Sequence, residues 1–183
     1  AAQEAMLRIW RTIGQYRFES AFSTWIYRVT ASCCTDAIRK RQRHEQPSLE
    51  ELGEYREFND AAIAGWAALR RSEDDLAALR DCLIRAEEAL ADHRRFVELD
   101  VGFHSLLARA TGNRVAMIVT EVLGNVEKET LRSKMLTLTP EGRIALGRRI
   151  LDTHSIILKA IEQQDSRAAR SAMRTHMLRQ LKS

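Results

Sequence analysis

The sequence has 183 residues and a mass of 20.9 kDa, the length of one domain or of one domain with an appendage. At 45% hydrophobic and 30% charged residues, with no long uninterrupted apolar run and no signal-peptide pattern at the start, the composition excludes a disordered or membrane-spanning chain. Eight Gly and two Pro among abundant Ala, Leu, Arg and Glu disfavour a β-rich fold and favour an all-α one.

The net charge of +4 is unevenly placed. Residues 1–48 hold eight Lys and Arg against four Asp and Glu, whereas residues 49–183 hold 21 of each. The basic excess sits in the first quarter of the chain, which points to two unlike pieces joined end to end. The cysteines Cys33, Cys34 and Cys82 are odd in number and two are adjacent, so they imply no disulfide framework and suit a reducing, cytoplasmic setting.

In chain order, Met6, Ile9, Trp10 and Ile13 recur at helical spacing and Gly14 ends the run. Ser20 or Ser23 caps a second helix carrying Phe22, Trp25, Ile26, Val29 and Ile38. That helix ends in the basic tip Arg39-Lys40-Arg41-Gln42-Arg43-His44. Gln46-Pro47-Ser48 predicts a turn and an N-cap, with Glu51 completing a capping box.

Six helices are predicted beyond it. The first spans about 49–70, with Leu52, Tyr55, Ile63 and Trp66 inward. Ser72 caps the second, which runs to about Ala91 with Leu76, Leu79, Leu83 and Ala86 on one face. Asp92 opens the third, and Gly112-Asn113 breaks it after Thr111. The fourth spans about 114–136, with Val115, Ile118, Val122 and Val126 inward. Thr139-Pro140 starts the fifth, Gln163-Gln164-Asp165 is the last turn, and 166–182 is the sixth. The short connections predict an antiparallel six-helix bundle preceded by a two-helix arm.

Four residues of the bundle stand out. Asp100 and His104 are four apart and share a helix face with Phe96, Leu99, Phe103 and Leu107. His154 lies in the stripe Ile150, Ile157, Ile161, and His176 shares a face with Ala172 and Met173. A buried Asp or His is costly unless paired. One such His alone reads as a satisfied core residue, but three helices each turning such a side chain inward predict a divalent metal. Zinc comes first, with nickel, iron or manganese as alternatives.

The segments Glu51-Leu52-Gly53-Glu54-Tyr55-Arg56-Glu57, Ser72-Glu73-Asp74-Asp75-Leu76, Phe96 through His104, Ala110-Thr111-Gly112-Asn113, Asp152 through Ile157 and Ala168 through His176 carry a resemblance. In this order and spacing, residues 49–183 resemble the ligand-binding (FCD) domain of GntR-type transcription regulators of the FadR subfamily. The resemblance implies that Asp100, His104, His154 and His176 hold a metal that helps bind a small organic acid effector. It further implies that Arg56 meets the effector's anion, that the protein is a homodimer acting on DNA, and that it performs no catalysis. Asp60 stands where the family often has Glu, and no role is assigned to it.

The first 48 residues are similar to something else. Leu7-Arg8-Ile9-Trp10-Arg11, Glu19 through Val29 and Asp36-Ala37-Ile38-Arg39-Lys40-Arg41 resemble part of region 2 of extracytoplasmic-function sigma factors. That resemblance implies core RNA polymerase as a partner and promoter contact through the basic helix. Arg39, Lys40, Arg41 and Arg43 are the candidate nucleic-acid-binding residues. The helix that opens region 2 and the second promoter-binding domain are not in this sequence. The sigma-like helices stand where a GntR-type regulator has its winged helix-turn-helix. The expected function is therefore a metal-dependent, carboxylate-sensing domain of a GntR-type regulator, with a partial sigma-type initiation factor as the alternative. A metallohydrolase is disfavoured, because no spare carboxylate stands out as a general base on the ligand-bearing faces.

Overall fold

The computed structural model describes residues 2–17, 21–44 and 48–181. These form eight α-helices, with no strand among the described residues. None of the helices there is long and apolar enough to cross a membrane. The chain divides into two compact units, Ala1–Ser48 and Leu49–Ser183, and each is considered by itself.

In the first unit, α1 (Ala2–Thr12) passes through a short 3-10 turn (Ile13–Gln15) and packs against α2 (Phe22–His44). Arg8 bridges the two helices to Asp36 at 2.8 Å, and Tyr16, Phe22 and Trp25 form a ring cluster with centroids 5.4–5.9 Å apart. The apolar stripe of α1 is not a core: Met6, Trp10 and Ile13 are exposed. Ser20, Gln46 and Pro47 lie outside the described residues, as do the side chains of Ile38, Arg39, Lys40, Arg41 and Arg43, whose backbone belongs to α2.

The second unit holds α3 (Leu49–Arg70), α4 (Glu73–Glu88), α5 (His93–Ala110), α6 (Arg114–Leu136), α7 (Pro140–Glu162) and α8 (Ser166–Leu181). Their ends follow the local chemistry. Ser72 and Asp75 form a reciprocal capping box on α4. Asp92 caps α5, accepting from the Arg94 and Arg95 amides. Gly112 takes φ +65°, a left-handed conformation that ends α5, and the Asn113 side chain then caps α6. Thr139 caps α7 ahead of Pro140 at its first position, and Asp165 accepts from the Ala168 amide at the start of α8.

The core lies between α5 and α7, where Phe96, Phe103, Leu107, Ile157 and Ile161 are fully buried, with α8 adding Met173 and α4 adding Leu79. α3 lies along α8 through the small residues Ala64, Ala67, Ala68 and Ala169, each 0% exposed. Cys82 of α4 is buried against α5 and donates its S–H to the Leu99 carbonyl at 3.3 Å. Burial pushes its thiol up to about 11.

Two expected faces are corrected. On α6, Val115, Ile118 and Val122 are 61–67% exposed and Val126 is also exposed, while Ala116, Thr120, Gly124, Glu127, Leu131 and Met135 face inward. The helix packs by its small-residue side: a Cβ on Gly124 would lie 3.0 Å from Val101 of α5. Close approach of the backbones selects this face over the more hydrophobic one. On α3, Tyr55 is exposed and Arg56 is buried instead, because Arg56 finds two carboxylate partners that offset its desolvation.

Candidate metal centre

α5 delivers Asp100 and His104 one helical turn apart, α7 delivers His154 and α8 delivers His176. All four are buried, Asp100 at 2% and His154 and His176 at 1% exposure. The structure brings them together. One ring nitrogen from each of His104, His154 and His176 falls within 4.8 Å of the others, and so does one ligand atom from each of Asp100, His104 and Glu127. The His154 and His176 Nε2 atoms are 3.3 Å apart, and His154 Nε2 lies 3.6 Å from Asp100 Oδ1.

The neighbours fix the rings. Phe103 stacks on His154 at 4.2 Å between centroids and 18° between planes. His176 Nδ1 lies 2.7 Å from Thr153 Oγ1, and that hydroxyl also lies 2.7 Å from the Ile150 carbonyl. A hydroxyl has a single hydrogen. With it given to the carbonyl, Thr153 accepts from His176 Nδ1–H, and the lone pair of His176 is left on Nε2, the atom facing His154.

Burial holds the His154 and His176 pKa values well below the usual 6.5, and the neighbouring cationic or imidazole groups, His104 for both, add to the effect. Both rings are therefore neutral and able to ligate. Burial likewise pushes the Asp100 carboxyl well above its usual range; Glu127 adds to this and Arg56 opposes it. Both Asp100 oxygens, His104 Nε2 and Glu127 Oε1 are buried without a hydrogen-bond partner. A cluster of buried polar atoms with no hydrogen-bond partner is an expensive arrangement in protein alone. The donor set, imidazole nitrogens with carboxylate oxygens from different helices, fits a divalent cation such as zinc.

Arg56 lies beside this centre. Its Nη2 donates to Glu127 Oε2 at 2.7 Å and to Asp60 Oδ2 at 3.0 Å. Burial works against the guanidinium charge, but Glu127 and Asp60 outweigh it and hold its pKa above the usual value. Asp60 in turn accepts from the Asn59 amide at 3.0 Å. A cavity of about 880 Å³ opens on the same spot, lined by Arg56, Glu127, Thr153 and His176 and also by Lys134 and Arg149. Thr153 and Glu127 are not among the site residues expected from the sequence, and Asp60 is named there without a role. The signal available for Glu127 was its register: it falls on the α6 face that carries Ala116, Thr120, Gly124 and Leu131, a place where a solvated glutamate does not belong.

An all-helical unit with a buried Asp and His cluster opening on a cavity is the class that fold and site define. The chain belongs to the FCD domain family, which it matches over residues 51–179. Residues 1–44 match Sigma-70 region 2. The second unit is similar to the galactonate operon transcriptional repressor of Escherichia coli, 25% identical over 127 residues that make up 69% of this chain and 53% of that protein. Among solved structures it is similar to Streptococcus agalactiae GntR, with a TM-score of 0.59 and 28% identity, covering 70% of this chain and 55% of the other. The first unit is similar to the ECF RNA polymerase sigma factor SigM of Mycobacterium tuberculosis, 35% identical over 52 residues, which are 28% of this chain and 26% of that protein. The chain thus spans about a quarter of that sigma factor and about half of the repressor.

Proposed function

We propose that residues 49–183 are the metal-dependent sensor domain of a cytoplasmic GntR-type transcription regulator, folded as an antiparallel six-helix bundle and responding to a small organic acid. The observation that carries the reading is the group of buried, unpartnered ligand atoms on Asp100 and His104 packed against His154 and His176, beside a cavity that also reaches Arg56. A divalent ion there, zinc ahead of nickel, iron or manganese, supplies a Lewis-acidic point for a carboxylate. Asp100, His104, His154 and His176 hold it; Thr153 and Phe103 orient two of the rings. Arg56, anchored by Asp60, presents a guanidinium to the same anion. Galactonate, named for one relative, exemplifies the hydroxy-acid class. The reading assigns no catalytic step. An effector that favours one packing of the helices shifts that equilibrium, and a homodimer passes the shift to its DNA-binding parts.

The test is elemental analysis of purified protein beside the His104→Ala/His154→Ala variant. About one metal per chain in the wild type, lost in the variant, supports the site. No metal in either after reconstitution with zinc, nickel and manganese refutes it.

The match of residues 1–44 to Sigma-70 region 2 favours a second reading for the first unit: a partial sigma-type arm that contacts core RNA polymerase or DNA through Arg39, Lys40, Arg41 and Arg43. DNA affinity then falls steeply with salt, and replacing the four by Ala flattens the slope by up to about four. An unchanged slope removes DNA from the arm's partners.

A further inference from the structure

Arg56, the residue aligned to receive an effector's anion, already holds one. Glu127 Oε2 is 2.7 Å from Arg56 Nη2. The other oxygen, Oε1, is buried without a hydrogen-bond partner and lies 3.9 Å from His104 Nε2. A Glu127 oxygen, an Asp100 oxygen and a His104 nitrogen are mutually within 4.8 Å. One carboxylate therefore joins the guanidinium to the metal-capable cluster, which is the bridge an effector's carboxylate would make.

We propose that Glu127 is a resident carboxylate ligand of this centre, holding the effector's place, and that an organic acid binds by exchanging with it. The proposal rests on the metal reading above. Charge supports exchange over addition. The buried carboxylates and guanidinium are Asp60, Asp100 and Glu127 against Arg56, and a histidine that ligates a metal does so as the neutral imidazole. A divalent cation with all three carboxylates ionised balances these groups. An effector carboxylate added on top would leave an uncompensated negative charge in a desolvated site, which is costly. If Glu127 swings out as the effector enters, the balance at the centre is kept. The exit is open, because Glu127 itself lines the cavity, and Lys134 and Arg149 line it too. The exchange also reports on binding, since Glu127 sits on α6 and its side chain leaves Arg56 of α3.

The test uses the full chain reconstituted with cobalt(II), whose visible absorption reports its ligands, with acetate as the probe. Wild type is compared with Glu127→Gln, which keeps the shape and removes the charge, and with Glu127→Asp, which keeps the charge and withdraws it by one methylene. Expected results are cobalt retained in all three and an altered absorption spectrum for Glu127→Gln before acetate is added. Acetate affinity should be about tenfold or more tighter in Glu127→Gln than in wild type, with Glu127→Asp between them. Cobalt retained with unchanged spectra and unchanged acetate affinity overturns the proposal, as does weaker acetate binding in Glu127→Gln. Failure of wild type to take up cobalt overturns the metal reading itself and this inference with it, an outcome distinguishable from the others by metal content alone. Should Glu127→Gln not fold, judged by its helical circular dichroism, Glu127→Asp decides the question by the same comparison.

Discussion

Replacing Thr153 by Val changes almost nothing in shape and removes one hydroxyl. That hydroxyl is buried, donates to the Ile150 carbonyl at 2.7 Å and accepts from His176 Nδ1 at 2.7 Å. In the variant His176 loses the partner that keeps its proton on Nδ1, and Nε2, the atom directed at His154, gains proton character in competition with metal. Loss of a hydrogen bond that orients a ligating imidazole costs about 10–100-fold in metal affinity, or about 1.4–2.7 kcal/mol. The metal-free fold loses both hydrogen bonds of that buried hydroxyl, about 2 kcal/mol, which lowers its Tm by roughly 4–8 °C. Competition between the protein and a chromophoric chelator for zinc at pH 7.5 separates the two effects when run beside thermal melts. Thr153→Ser keeps the hydroxyl and restores zinc affinity to near wild type. If Thr153→Val binds zinc as tightly as wild type, or if Thr153→Ser is as impaired as Val, the tautomer argument fails.

Asp100→Asn is expected to move stability in opposite directions with and without metal. Burial makes the charged carboxylate unfavourable in the metal-free protein, so Asn raises the Tm in chelator by a few degrees, about 1 kcal/mol, while it removes most of the stabilisation that zinc confers. A Tm that falls equally in both conditions contradicts this. For the metal-free Asp100→Asn protein, stability is expected to fall as pH drops from 7.5 to 5.5. His154 and His176 titrate near 6.5 when unfolded and well below that when folded. Their contribution is full above the unfolded value and is lost as protons bind the unfolded chain. Asp100, raised in the fold, acts oppositely, being stabilised by acid. His104 and Arg56 face the same cluster. In the Asp100→Asn background, where that opposing carboxyl is gone, the two imidazoles leave a loss of up to about 3 kcal/mol, and chemical denaturation at the two pH values measures it; a flat or rising profile would contradict the assignment.

The four metal-capable residues were legible because each interrupts a hydrophobic stripe at helical spacing. Asp100 and His104 sit among Phe96, Phe103 and Leu107, and His154 sits among Ile150, Ile157 and Ile161, all buried. Caps were legible for the same local reason: Ser72, Asp92, Asn113 and Thr139 each act within three residues of themselves. The inward face of α6 was not. Hydrophobicity selects Val115, Ile118 and Val122, but contact with α5 is decided by how closely two backbones approach, and Gly124 permits what a β-branched residue would block. Reading that helix by its valines also hid Glu127. Asp60 and Thr153 escaped because their meaning lies in partners that meet only in three dimensions: Arg56 for the one and His176 for the other.

The thiol of Cys82 gives the centre a clock. It is closed in between α4 and α5, its hydrogen bound to the carbonyl of Leu99, the residue immediately before Asp100. With its pKa near 11, the folded protein offers almost no thiolate to an alkylating reagent at neutral pH. Alkylation at this position therefore waits for α4 to lift from α5, and its rate counts those openings. A metal or ligand that ties α5 to α7 and α8 makes the openings rarer, so mass-resolved labelling of this one peptide times the tightening of a site that the reagent never enters.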